Sequence, residues 1–117
     1  MQGAGGEMRG SVMALVLLAG PAMAGDWAVL DGTGVTSALT DKTVVYEDGT
    51  KQIFKADGGT IYDNGQQSLG HWNVQANQYC SVWPPSDHWA CYGVEASEDG
   101  IRFVAADGSA TTGKVQK

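Results

Sequence analysis

The chain has 117 residues and a formal net charge of −6, with 13 acidic against 7 basic side chains. An acidic chain of this kind is repelled by nucleic acid and by anionic membrane surfaces, so neither is an expected partner. A basic protein, a cation or an uncharged small ligand remains compatible with that balance, and the acidity also keeps a small exported protein soluble.

Residues 1–24 read as a secretory leader. Met8-Arg9 opens a short basic region, with Met8 an alternative initiator. The stretch "VMALVLLAG", residues 12–20, is apolar but too short to span a bilayer. Pro21 breaks any helix, and Ala22-Met23-Ala24 places small residues at the −3 and −1 positions of a cleavage site before Gly25. Arg9 and Glu7 are the only charges in the leader, so its removal leaves the net charge unchanged. Residues 25–117 are then sized for a single small β domain, near the length at which a core alone is only marginally stabilising.

After the leader, "GTGVTSALTDKT" places Val35, Ala38 and Leu39 at i, i+3 and i+4, which predicts one short amphipathic helix with Thr33 or Thr36 as its cap. Beyond it, turn signals recur every 7 to 12 residues or so: Asp48-Gly49, Asp57-Gly58-Gly59, Asn64-Gly65, Gln75-Ala76-Asn77, the run from Pro84 to Asp87, Glu98-Asp99-Gly100 and Asp107-Gly108. The segments between them are rich in β-branched and aromatic residues, and several alternate. Trp72 and Val74 share a face opposite His71 and Asn73. Trp89, Cys91, Gly93 and Glu95 lie opposite Ala90, Tyr92, Val94 and Ala96, and Ile101, Phe103 and Ala105 face away from Arg102. The fold class predicted is mainly β: a single antiparallel meander of about seven or eight strands, forming a small barrel or a strongly curved sheet that removes its edges.

The stretch "YCSVWPPSDHWACY" holds both cysteines, two of the four tryptophans and one of the two histidines. Two cysteines in an exported chain predict a disulfide, Cys80 to Cys91, tying two neighbouring strands. Closing a loop of about a dozen residues contributes roughly 3 kcal/mol on the chain-entropy model. Trp72, Trp83 and Trp89 fall on consecutive strands around it, and at least two of them are expected to fill core volume. The alternative is a platform of exposed rings.

The candidate ligand-binding residues are Trp72, Trp83, Trp89, Tyr92, His71 and His88. No catalytic residue and no cofactor is expected, because no nucleophile-elbow, P-loop, dinucleotide or H-E-x-x-H pattern occurs. His71, His88 and Asp87 could approach one another across neighbouring strands, but their spacing is not that of a metal site. The acidic turns lack the calcium-loop spacing.

Residues 38–95 resemble small exported bacterial proteins of unknown function. The resemblance rests on Ala38-Leu39-Thr40, the Tyr-x-Asp-Gly turn at Tyr46 to Gly49, Phe-x-x-Asp-Gly at Phe54 to Gly58, Gly-x-Trp at Gly70 to Trp72, and the cysteine pair flanking a tryptophan-rich turn. It implies the architecture and supplies no activity. Gly-x-Trp is also similar to an element of lipocalin-like barrels, where it lies near the barrel's start; here it lies mid-chain, so ligand binding does not carry over from it. Small disulfide-bonded periplasmic lysozyme inhibitors are similar in size and general design, without shared motifs. The function expected is therefore that of an exported, non-enzymatic β-domain binding a small ligand or a protein. An acidic inhibitor of a basic protein is the alternative, and a small enzyme a more distant one.

Overall fold

A computed structural model describes residues 26–117. The leader expected over residues 1–24 lies outside the described residues. The elements in chain order are β1 (Ala28–Val29), α1 (Gly32–Leu39), β2 (Lys42–Tyr46), β3 (Lys51–Phe54), β4 (Gly59–Asp63), β5 (Gln67–Gln75), β6 (Gln78–Val82), β7 (Ala90–Ser97), β8 (Gly100–Val104) and β9 (Ala110–Val115).

Strands β2 to β9 pair antiparallel with their sequence neighbours, and β9 returns to pair with β2 through Val44↔Val115, Val45↔Lys114 and Tyr46↔Gly113. The meander is thus an eight-stranded closed barrel. Closure removes the two free edges that an open sheet would expose. β1 is an extra strand laid against β7, with Ala28↔Ala96 and Val29↔Glu95 in register, where β6 no longer covers that edge. Trp27 helps hold it: its ring lies 4.3 Å from the Arg102 guanidinium carbon, and Arg102 donates through Nε to Glu95 Oε1 at 2.9 Å.

The local chemistry explains the turns. Three hairpins repeat one device around Asp48-Gly49, Asp57-Gly58 and Asp107-Gly108. In each, the aspartate Oδ1 accepts from the backbone N–H two residues on (Thr50, Gly59 or Ser109, each at 2.9 Å). The glycine takes a positive φ of 89°, 93° or 90°, a conformation costly for a residue with a Cβ. The β5–β6 turn is different, because Ala76 and Asn77 carry the positive φ values (50° and 63°) with no glycine.

The helix plugs one end. Its cap is Asp31, whose Oδ1 accepts from Gly34 N–H at 2.8 Å; Thr33 and Thr36 do not cap it, because the helix begins at Gly32, before either of them. Asn77 Oδ1 also accepts from Gly32 N–H at 2.8 Å, tying the helix start to the β5–β6 turn. Val35 and Leu39 point from the helix into the barrel and are fully buried against a core that includes Val44, Phe54, Trp72, Val94 and Ile101. Among the described residues the other end, where the β2–β3, β4–β5, β6–β7 and β8–β9 connections lie, has no such plug. Among the described residues no helix is long and apolar enough to cross a membrane.

The disulfide expected between Cys80 and Cys91 is present, joining directly paired residues of β6 and β7 with Cα atoms 4.0 Å apart. It lies on the outer face, so the flanking pair Tyr79↔Tyr92 points inward.

Candidate functional site

Inward-facing positions near the open end build a cup. All four tyrosines of the chain, Tyr46, Tyr62, Tyr79 and Tyr92, line a cavity of about 670 Å³ together with Trp83 and Phe103. These six side chains come from β2, β4, β6, β7, β8 and the residue just after β6. Their rings form one continuous chain of contacts. Trp83 meets Tyr62 at 6.2 Å between centroids, Tyr62 meets Tyr46 at 6.2 Å, and Tyr46 meets Phe103 at 6.2 Å. Phe103 then meets Tyr79 at 5.1 Å, and Tyr79 meets Tyr92 at 6.1 Å. Tyr46, Tyr79 and Phe103 are buried at the floor; Tyr62, Trp83 and Tyr92 are half-buried on the walls. Such tilted, edge-on and stacked pairs are each worth about 0.5–1.5 kcal/mol beyond area burial, so the wall is partly self-supporting.

Two inward glycines make room for the rings. A Cβ on Gly70 would lie 2.6 Å from Trp83 Cε3, and one on Gly113 would lie 3.2 Å from Tyr46 Cδ1.

The floor is held by a buried amide, Gln52, which is only 5% exposed. Its Nε2 donates to Thr60 Oγ1 and to Tyr79 Oη, both at 3.0 Å, and its Oε1 accepts from Tyr46 Oη at 2.6 Å. The polarity is fixed from outside. Thr60 Oγ1 spends its proton on the Ile53 carbonyl at 2.8 Å, so it must accept from Gln52, which sets the amide's orientation. Consequently Tyr46 donates to Gln52, while Tyr79 accepts and keeps its own proton for another partner. Burial pushes the Tyr46 phenol far above the usual tyrosine range, with Tyr79 and Tyr62 adding to the effect. Burial also raises Tyr79, against the opposing pull of its Ser81 and Gln52 hydrogen bonds. Both phenols are therefore neutral hydrogen-bonding groups at ordinary pH.

Among the described residues lining the cup, the charged side chains are Glu47 and Asp48, on the β2–β3 turn at its rim. The Thr50 backbone N–H holds the Asp48 carboxyl below the usual carboxylate range.

Comparison with protein families, with curated proteins and with solved structures finds no match to this chain. The cup's chemistry is therefore read from its own residues.

Of the residues singled out in the sequence, Trp83 and Tyr92 line the cup. Trp72 lies below the floor in the apolar core. It is 7% exposed, edge-on to Phe54 at 5.7 Å, and donates from Nε1 to the Lys55 carbonyl at 2.9 Å. Of the three tryptophans near the disulfide it alone is buried. Trp89 is 46% exposed, on the outward face it shares with Cys91. His71 is exposed on the outer face of β5. His88 Nε2 lies 3.8 Å from Asp87 Oδ1, with both side chains more than nine-tenths exposed. Among the described residues no group of three or more His, Cys, Asp or Glu side chains is placed to hold a metal ion.

Tyr46, Tyr62, Tyr79, Phe103 and Gln52 were not among the candidates drawn from the sequence. A signal for two of them existed: Tyr46 and Tyr62 each stand immediately before an acidic, glycine-containing turn ("YEDG" and "YDNG"), which puts them at the same end of the meander.

Proposed function

We propose that this chain is an exported, non-enzymatic β-barrel domain that binds a small organic ligand in the aromatic cup at its open end. The observation that carries this reading is the convergence of all four tyrosines with Trp83 and Phe103 on one cavity. A core needs apolar volume, and the helix-plugged end already supplies it; hydroxylated rings around unfilled space are what a ligand site uses. The Cys80–Cys91 disulfide and the leader pattern support an oxidising, extracytoplasmic location.

A library of small organic fragments, titrated into isotope-labelled protein, tests the reading. Chemical-shift changes should concentrate on Tyr62, Trp83 and Tyr92. Shifts confined to the outer face around His71 and Trp89, or no binder at millimolar concentration, would remove the cup from consideration.

A second reading, docking of a basic protein on the open end, is favoured by the carboxylates that surround the mouth. It predicts a complex that weakens steeply with added salt.

A further inference from the structure

We infer that the ligand of the cup is a compact organic cation, an alkylammonium or quaternary ammonium group, held against the tyrosine and tryptophan faces and drawn in by the acidic mouth. The inference rests on the preceding reading that the cup is a ligand site, and adds the charge of what enters it.

Three independent features agree. The rings at the walls, Tyr62, Trp83 and Tyr92, are half-buried and border the space a ligand would fill. A cation over the faces of such rings gains roughly 0.5–2 kcal/mol per favourable ring, more as water is excluded.

The charge around the opening is mainly acidic. The chain at this end carries Glu47, Asp48, Asp63, Asp87 and Asp107 in or directly beside the four connections, against a single lysine, Lys51, which begins β3 and stands opposite Asp63. By contrast, Lys42 and Lys55 lie at the helix-plugged end. Three of the mouth carboxylates are fixed by their turns: Asp48 accepts from Thr50 N–H, Asp63 from Gly65 N–H, and Asp107 from Ser109 N–H and Oγ. A recessed cavity with an excess of one sign of charge at its rim concentrates the opposite sign within it.

The cup also lacks what other ligands would require. Among the described residues no basic side chain lines it to pair with an anion. No cluster of three acidic or histidine ligands is present among the described residues to strip water from a metal ion. A diffuse, weakly hydrated organic cation needs neither. The rings are recessed below the rim, which favours a small molecule over the flat surface of a basic protein.

The test pairs choline with its neutral isostere 3,3-dimethylbutan-1-ol, which has the same shape without the charge. Each is titrated into the labelled protein at low ionic strength. Choline is expected to shift Tyr62, Trp83 and Tyr92 and to bind at least about tenfold more tightly than the isostere. The Glu47→Gln/Asp48→Asn double variant keeps the turn's hydrogen-bond acceptor and should weaken choline roughly threefold or more, leaving the isostere unchanged. Equal binding of the two compounds in the cup would overturn the cation assignment while the cup reading stood. Shifts on the outer face only, or none with either compound at millimolar levels, would overturn both. Binding of poly-L-lysine at the mouth without choline binding would overturn the small-cation assignment in favour of a basic protein partner.

Discussion

Gly70 on β5 and Trp83 just beyond β6 share one volume: the indole lies over the glycine so closely that a Cβ at position 70 would stand 2.6 Å from Trp83 Cε3 and 2.6 Å from the Val82 carbonyl oxygen. The contact sets the position of a cup wall, because Trp83 also meets Tyr62 edge-on. Gly70→Ala should therefore expel the indole and strain the β5–β6 pairing, costing about 1–3 kcal/mol. The expected readings are a melting temperature lower by several degrees and a red-shifted Trp83 emission. Trp83→Leu in the same background should recover part of the loss. A Gly70→Ala protein with parental melting and emission would show that the indole is not seated there.

Gln52 joins the two phenols of the floor, Tyr46 and Tyr79, the second of which also meets Ser81. Gln52→Leu keeps the volume but leaves Tyr46 Oη without its acceptor and Tyr79 Oη without its donor, both in buried positions. An orphaned buried polar group costs about 1–3 kcal/mol, so the variant should lose about 2–4 kcal/mol in chemical denaturation. Adding Tyr46→Phe and Tyr79→Phe removes the orphans and should restore at least half of that. Strictly additive losses across the three substitutions would mean the hydroxyls are not coupled through the amide.

The same burial gives the domain an alkaline limit. Tyr46 and Tyr79 are raised above the usual tyrosine value of about 10. Below that pH, folded and unfolded chains both hold these protons, and the contribution to stability is complete. Above it the unfolded chain releases protons that the folded chain keeps, so unfolding is increasingly favoured as pH rises toward the folded-state values. Denaturation midpoints should accordingly fall with pH above about 10. Tyr46→Phe should make the fall shallower, and parallel slopes for parent and variant would contradict the assignment.

The antiparallel β meander was legible because its signals are local. The Asp-Gly turns need only a few residues to satisfy themselves, and the two-residue alternation that turns Tyr92, Val94, Ile101 and Phe103 inward is written within each strand. The cup was not legible, because it depends on closure. Tyr46 reaches Phe103 only once β9 has returned to β2, a pairing that spans nearly the whole domain. Trp83 and Trp89 are equivalent in sequence, since both flank the same proline turn. Which one turns inward is decided by the strand registers on either side, which place Trp83 over Gly70 and leave Trp89 on the disulfide's outer face. Gln52 gave no signal at all, because a buried amide is recognised only by the hydroxyls that other strands bring to it.

The β5–β6 turn stores a correctable cost. A two-residue hairpin turn of this type needs positive φ at both central positions, and Ala76 supplies one of them at 50°. An L-residue with a Cβ pays about 1–2 kcal/mol there, partly offset by the added unfolded-chain freedom of glycine. Ala76→Gly should therefore stabilise the domain by about 0.5–1 kcal/mol and raise the melting temperature by a few degrees. The turn faces the plugged end, so ligand binding should not change. A lower melting temperature would mean that the alanine methyl makes a contact worth more than the strain.

The disulfide carries a larger share. Cys80 and Cys91 are directly opposite on β6 and β7, and their neighbours Tyr79 and Tyr92 are the cross-strand pair that continues the ring chain into the cup. Replacing both cysteines with alanine releases a loop whose closure is worth about 3 kcal/mol. In a domain of this size that corresponds to a melting temperature lower by more than about 10 °C. The loss should be matched by treating the parent with a thiol reductant, and reductant should do nothing further to the double variant. The loosened β6–β7 pair should also let Tyr92 move away from Tyr79, so any cup ligand should weaken even at temperatures where the variant remains folded. An unchanged melt would mean that the barrel's hydrogen-bonded closure alone fixes these two strands, and that the bridge adds nothing to them.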